Sequence, residues 1–199
     1  MRIIDQINIR FKAEMIKKEL PNIIIQWETD PGKIDFKKLG SYKGLESNFS
    51  QELLRIENVD ISNETPPDDV LRNLSNIEML EILINGGKLI PPAFIERYAI
   101  VDGKEQKVSS VSGGFDGSHR IGLARHFGFD TIPVCVFKGY AGHWFTPDKW
   151  TFEDGGYNGV KATSKVTGEV FTFREYGANV DISNSDYIVI MAAKEDRPF

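Results

Sequence analysis

The stretch that decides the reading of this chain is Gly113-Gly-Phe-Asp-Gly-Ser-His-Arg-Ile-Gly-Leu-Ala-Arg-His-Phe-Gly-Phe-Asp-Thr-Ile-Pro-Val134. Gly113, Gly114 and Gly117 remove side chains where a backbone must turn tightly or approach something closely. Ser118 is a good helix N-cap, and Ile121, Leu123, Ala124 and Phe127 give the following helix an apolar side. Gly128 is placed to end that helix in a left-handed cap. Arg125 and His126 fall in its last turn, where cations complement the helix dipole. The start of the helix is therefore a cluster of backbone N–H groups at the positive end of a dipole, and such a terminus attracts anions.

Around that terminus stand a carboxylate, a hydroxyl, an imidazole and a guanidinium: Asp116, Ser118, His119 and Arg120. Arg120 can grip two phosphate oxygens at once. Asp116 can accept a proton from a hydroxyl substrate or hold a metal-bound water, and His119 can donate to a phosphate or transfer a proton. The same residues have a plain structural reading, in which Asp-Gly turns, Ser118 caps and Arg120 pairs with Asp116 or a neighbouring acid. The glycine pattern is neither a Walker loop, since no Gly-Lys-Ser/Thr follows, nor a dinucleotide fingerprint.

Working outward, the 199 residues can bury a sizeable core, and 41% hydrophobic with 27% charged residues describes a folded chain. A net charge of -5 lacks the basic excess of a free-standing nucleic-acid binder. The single cysteine, Cys135, excludes an internal disulfide framework and fits a reducing, cytoplasmic setting. Met1–Ile7 carries an acid and an amide where a signal peptide needs an apolar run. No stretch approaches a membrane span.

Ile4, Ile7, Phe11 and Met15 stand at near-helical spacing, which predicts an amphipathic helix ended by Pro21, packed on its own domain in preference to the membrane-surface role open to a basic amphipathic helix. Asn22–Trp27 reads as a short strand and Thr29–Ser50 as a long connection. Leu53–Ile61 reads as a strand, Thr65-Pro-Pro-Asp68 as a helix start, and Ser75-Asn-Ile-Glu78 as a second capping box. That box opens a buried helix ended by Gly86-Gly87. Leu89–Val101 is extended, with Pro91 and Pro92 pushing its beginning to a sheet edge. Asp102-Gly103 is a hairpin turn, Glu105–Ser112 the returning strand and Ile132–Phe137 an apolar strand. Beyond Trp144 the chain reads as β-rich, with strands at Val160–Val166, Glu169–Tyr176 and Tyr187–Met191, and turns at Thr167-Gly168 and Asn184-Ser185. Trp144, Phe145, Trp150 and Phe152 read as core, and His143 as an exposed loop residue. Lys37, Lys38 and Lys43 read as solvated loop charges.

Asp116-Gly-Ser-His-Arg120, then Ala124, Gly128 and Thr131-Ile-Pro-Val134, resembles the signature of the ParB/sulfiredoxin-like superfamily. Leu53–Ile61 is similar to its first strand, and Leu80–Pro92 to its helix, Gly turn and proline-started strand; the resemblance spans residues 53–138. It implies a mixed α/β (α+β) fold with flanking helices and a nucleotide pocket. Sulfiredoxins bind ATP phosphates with this motif, partition proteins bind CTP, and the free serine kinases use an Asp-Gly-His-His-Arg run for phosphoryl transfer. By position, Gly117, Ser118, His119 and Arg120 would contact phosphates, and Asp116 would match the kinase aspartate. Ser118 replaces the reactive cysteine of sulfiredoxins, which argues against sulfinic-acid reduction. No basic helix-turn-helix follows, which argues against chromosome partition.

The expectation is thus one domain: an N-terminal helix and connection (1–52), a ParB/sulfiredoxin-like core (53–143) and a β-rich extension (144–199). The expected function is ATP- or CTP-type phosphoryl transfer or nucleotide hydrolysis, with Asp116 and His119 catalytic and Mg²⁺ carried on the nucleotide. Glu57, Glu78 or Glu81 could help hold that ion. A non-enzymatic nucleotide-gated regulator and a DNA-processing factor, nuclease-type relatives included, are the rivals. The acidic total disfavours DNA, and no membrane partner is expected.

Overall fold

Eleven consecutive residues from Leu74 to Ile84 place Ile77, Leu80 and Leu83 on one face, and these three are buried. In the computed structural model this helix is the second of three α-helices among the described residues, which are 3–35, 49–108, 112–154, 159–173, 179–181 and 187–191. The elements in chain order are α1 (Ile3–Glu19), β1 (Phe49–Asp60), α2 (Leu74–Ile84), β2 (Ala93–Val101), β3 (Lys104–Lys107), β4 (Ser112–Asp116), α3 (Ser118–His126) and β5 (Thr131–Phe145). They continue as β6 (Trp150–Asp154), β7 (Val160–Ser164), β8 (Val170–Phe173), β9 (Asn179–Asp181) and β10 (Ile188–Met191). The class is mixed α+β, and no described helix is long and apolar enough to cross a membrane.

The chain divides into two compact units. The first holds Met1–Gly40, Leu53–Phe94 and Gly113–Val136; the second holds Ser41–Glu52, Ile95–Ser112 and Phe137–Phe199. β2 and β5 each begin in the first unit and end in the second.

In the first unit, β1 pairs with β5. Ile77, Leu80, Leu123, Ala124, Ile132 and Val134 form much of the buried interior. Each such aliphatic side chain contributes roughly 1.5–3 kcal/mol relative to exposure. Gly86, at φ 74, ends α2, with its N–H and that of Gly87 donating to the Leu83 and Ile82 carbonyls.

Several local expectations change here. α1 ends where Pro21 demands, yet its inward residue is Ile16 (3% exposed), while Phe11 (68%) and Met15 (57%) face solvent. Asn22–Trp27 forms no strand; Trp27 makes one parallel bridge to Leu89. No α-helix starts at Thr65. Asp69 instead caps a 3-10 turn over Val70–Arg72, its side chain accepting from the Leu71 N–H. α2 is capped by Asn73, whose Oδ1 accepts from the Ser75 N–H, rather than by Ser75 itself. Ile82 and Ile84 are exposed, so α2 is not buried all round. The Pro92 carbonyl accepts from the Cys135 N–H at 2.8 Å. Gly113 and Gly114 lie in β4 rather than in a turn.

In the second unit the strand order is β3-β2-β5-β10-β9. Asp102 (φ 47) and Gly103 (φ 86) make the β2–β3 hairpin, both central residues adopting the positive φ that such a turn requires. A separate antiparallel sheet runs β6-β7-β8, with Gly168 (φ 73) in the β7–β8 turn. Phe145, Trp150, Ala162, Phe171, Phe173 and Ile190 build its core, with Phe152 packed against them. Trp144 packs against Tyr187. Phe145 and Trp150 are thus core, while Phe152 and Trp144 are half-buried.

His143 departs from expectation. It is 1% exposed within β5, between Tyr140, Phe145 and Phe173, and not in a surface loop. β5 also runs eight residues past Phe137. The Asn184-Ser185 turn and Lys37, Lys38 and Lys43 lie outside the described residues.

Candidate functional site

β4 delivers Asp116 to the end of a strand, and one residue, Gly117, reverses the chain into α3. Gly117 has φ 120, a conformation L side chains rarely adopt. A Cβ there would stand 2.7 Å from Pro92 Cβ and 3.0 Å from Pro92 Cα. The glycine is therefore required twice, by its torsion and by the close approach of its backbone to Pro92.

The N-cap is Gly117 and not Ser118, so the helix start has no side-chain cap hydrogen bond. The first turn also holds no acidic residue. The first intrahelical bond runs from the Ile121 N–H to the Gly117 carbonyl at 2.9 Å. The N–H groups of Ser118, His119 and Arg120 precede it and have no intrahelical acceptor by construction. Ser118 and His119 are exposed beside them.

Arg120 turns back along the helix start. Its Nη1 donates to the Ile90 carbonyl at 2.8 Å and the Pro91 carbonyl at 3.0 Å. Its Nη2 donates to Asp116 Oδ2 at 2.7 Å. Both side chains of the Asp116–Arg120 pair are 13% exposed. A guanidinium has five donors, so Nε–H and one Nη2 hydrogen are not spent in these bonds. Arg120 thereby clamps the chain leading into β2 against the start of α3. This pairing was one of the two readings open from sequence. The Ile90 and Pro91 carbonyls were missed, although adjacent prolines remove a ladder donor and leave such carbonyls in search of partners.

The far end of α3 is built as its residues demand. Gly128 takes φ 81, and Arg125 donates to the Phe129 carbonyl at 2.9 Å, to the Glu64 carbonyl at 3.2 Å and to Asp130. Ile121, Leu123 and Ala124 are buried, so both ends of the helix are held and its start is fixed.

Cys135 is buried in β5. Burial pushes its thiol up to about 11, against an opposing pull from the Arg120 charge. A thiol so placed is a poor nucleophile. Among the carboxylates considered for a metal, Glu57 pairs with Arg55 at 2.7 Å, Glu81 with Lys12 at 2.9 Å, and Glu78 is exposed. Among the described residues no cluster of three or more His, Cys, Asp or Glu is arranged to hold a metal ion. Asp116 is the carboxylate at the helix start itself.

Compared with known proteins, the chain matches no family model, no curated protein and no solved structure.

Proposed function

We infer that this chain binds the phosphate groups of a nucleoside tri- or diphosphate at the start of α3 and acts on the terminal phosphoryl group. One observation carries the reading: the helix opens on Gly117 with no side-chain cap, its first-turn amides standing beside exposed Ser118 and His119. Anionic oxygens are the natural partners of such amides. The tight Gly117–Pro92 contact holds their directions fixed, and fixed donors are what stabilise developing charge in phosphoryl transfer.

The roles divide as follows. Gly117 lets the backbone approach the ligand, and Ser118 supplies a hydroxyl for a phosphate oxygen. His119 donates to the phosphate or passes a proton to the leaving oxygen. Arg120 offers its remaining N–H groups while keeping the helix start in place. Asp116 orients the acceptor hydroxyl or water. Mg²⁺ keeps most of its ligands as phosphate oxygens and water, so an ion that arrives on the nucleotide needs few from the protein.

A second reading is favoured by one specific feature. Asp116 already accepts a hydrogen bond from Arg120 at 2.7 Å and is largely covered. A carboxylate held this way suits a nucleotide-gated regulator that binds without turnover. Calorimetry with ATP, ADP, CTP and GTP, with and without Mg²⁺, followed by an assay for released or transferred phosphate, separates the two. Turnover that falls in Asp116→Asn while binding persists supports the enzyme. Binding without any product supports the regulator. Absence of heat with every nucleotide refutes both.

A further inference from the structure

α2 ends on a chemically reactive pair, Asn85-Gly86, and both residues are exposed. The Cγ of an asparagine is an electrophile toward the next backbone nitrogen whenever that nitrogen can reach it. Glycine at the next position leaves the nitrogen unhindered, because it has no Cβ. Nothing lies within 4 Å of the place a Cβ would take on Gly86, so the pair stands open on that side. Asn158 is the other asparagine followed by glycine in this sequence, and it lies outside the described residues.

The folded geometry holds the two reacting groups apart. Asn85 Nδ2 donates to the Glu81 carbonyl at 2.8 Å, which turns the side-chain amide back along α2. The Gly86 N–H donates to the Leu83 carbonyl at 3.0 Å, which occupies the nitrogen that would attack. Both bonds belong to the last turn of the helix, and helix ends open far more readily than buried interiors do. When that turn unwinds, both restraints are released together.

We propose that Asn85 is a self-modification site, where the chain deamidates at a rate set by opening of the last turn of α2. On opening, the Gly86 nitrogen gives up its proton to solvent and forms a bond to Asn85 Cγ. The Cγ–Nδ2 bond breaks and Nδ2 leaves as ammonia, taking up a proton, which closes a five-membered imide. Water then adds to one of the two imide carbonyls. Addition at Cγ gives aspartate, and addition at the Asn85 main-chain carbonyl gives isoaspartate, through which the backbone gains a methylene. Water is the only co-reactant. Either product puts a carboxylate at the negative pole of α2, one turn from Glu81, and removes the donor that satisfied the Glu81 carbonyl. The conversion thus loosens the end of α2, and it uses none of the residues assigned to phosphate binding.

The test is a time course of the full chain in mildly alkaline buffer, native and in guanidinium chloride, followed by tryptic mapping. Cleavage after Arg72 and Lys88 isolates Asn85 from Asn158, which falls in the peptide Trp150–Lys161. Aspartate and isoaspartate should accumulate at Asn85 in the native chain, faster as pH rises. The native rate should be about tenfold below the unfolded one, the protection that two net hydrogen bonds supply. Asn85→Gln should abolish the signal in that peptide. Asn85→Asp should lower the thermal midpoint by about 2–4 °C. A native chain whose Asn85 stays intact over many unfolded-state half-lives overturns the proposal. So does conversion at one rate in both states, or an Asn85→Asp variant that melts with the wild type.

Discussion

Gly117→Ala should be the most informative single substitution in the first unit. The cost has two separable parts. Forcing a Cβ into φ 120 costs roughly 1–2 kcal/mol for backbone strain. The new methyl would also sit 2.7 Å from Pro92 Cβ, where apolar carbons rest at about 3.5–4.0 Å. Relieving that overlap, in a chain already clamped by Arg120, adds roughly 1–3 kcal/mol. The sum is about 2–5 kcal/mol of lost stability. Gly128→Ala is the internal control. It has a similar positive φ of 81, but nothing lies within 4 Å of its added Cβ, so it should cost only the strain, about 1–2 kcal/mol. Urea unfolding followed by circular dichroism gives both values from one protocol. Pro92→Gly in the Gly117→Ala background should recover part of the difference in a double-mutant cycle. Equal costs for the two alanine variants, or a larger cost at Gly128, would refute the claim that the backbone is pressed against Pro92.

Arg120→Ala should destabilise by about 2–4 kcal/mol, because it strands the Ile90 and Pro91 carbonyls and removes the cation paired with the largely covered Asp116; thermal unfolding measures this, and Arg120→Lys should restore little, since an ammonium cannot reproduce the fork. In the second unit, Asp102 is partly desolvated, which raises its pKa, but the Thr146 N–H and hydroxyl, the Trp150 Nε1–H and the Lys149 charge together bring it below the ordinary carboxylate value. Its contribution is therefore present above the unfolded pKa and lost as pH falls through the lower folded value, so Asp102→Asn should flatten the acid limb of the stability profile below about pH 4. Cys135 has the opposite sign: with a folded pKa raised to about 11, its contribution is intact below the unfolded value near 9.0 and lost as pH rises between the two. Thiol-reagent labelling at neutral pH should accordingly be slow in the native chain and fast in denaturant.

What could be read from sequence was set by how local each determinant is. The Asp102-Gly103 hairpin, the Gly86 and Gly128 helix ends and the Pro21 stop depend on one or two residues and their torsions, and each stands where composition placed it. Capping was less legible, because Asp, Asn, Ser and Thr compete for the same geometry over neighbouring positions. Asn73 won over Ser75, and Asp69 formed a 3-10 turn where a helix was expected. The inward face of α1 was misassigned because Ile16 and the Phe11–Met15 pair offer two apolar stripes on one helix, and tertiary packing selects between them. His143 was misplaced because Gly142 and Trp144 read as loop neighbours, while β5 continues as one strand through Phe145. At the site, the residue set around Asp116–Arg120 was visible, but the acceptors Ile90 and Pro91 lie 30 and 29 positions away and are backbone atoms that no side-chain pattern announces.

The central claim is that the start of α3 seats phosphate. Isothermal titration of the wild type, Ser118→Ala, His119→Ala and a Ser118→Asp variant against ATP and CTP with Mg²⁺ tests it most directly. Removing the two exposed donors should weaken binding stepwise, and an aspartate placed in the first turn should abolish it, since its carboxylate occupies the same amides. Wild-type affinity in Ser118→Asp would contradict the account.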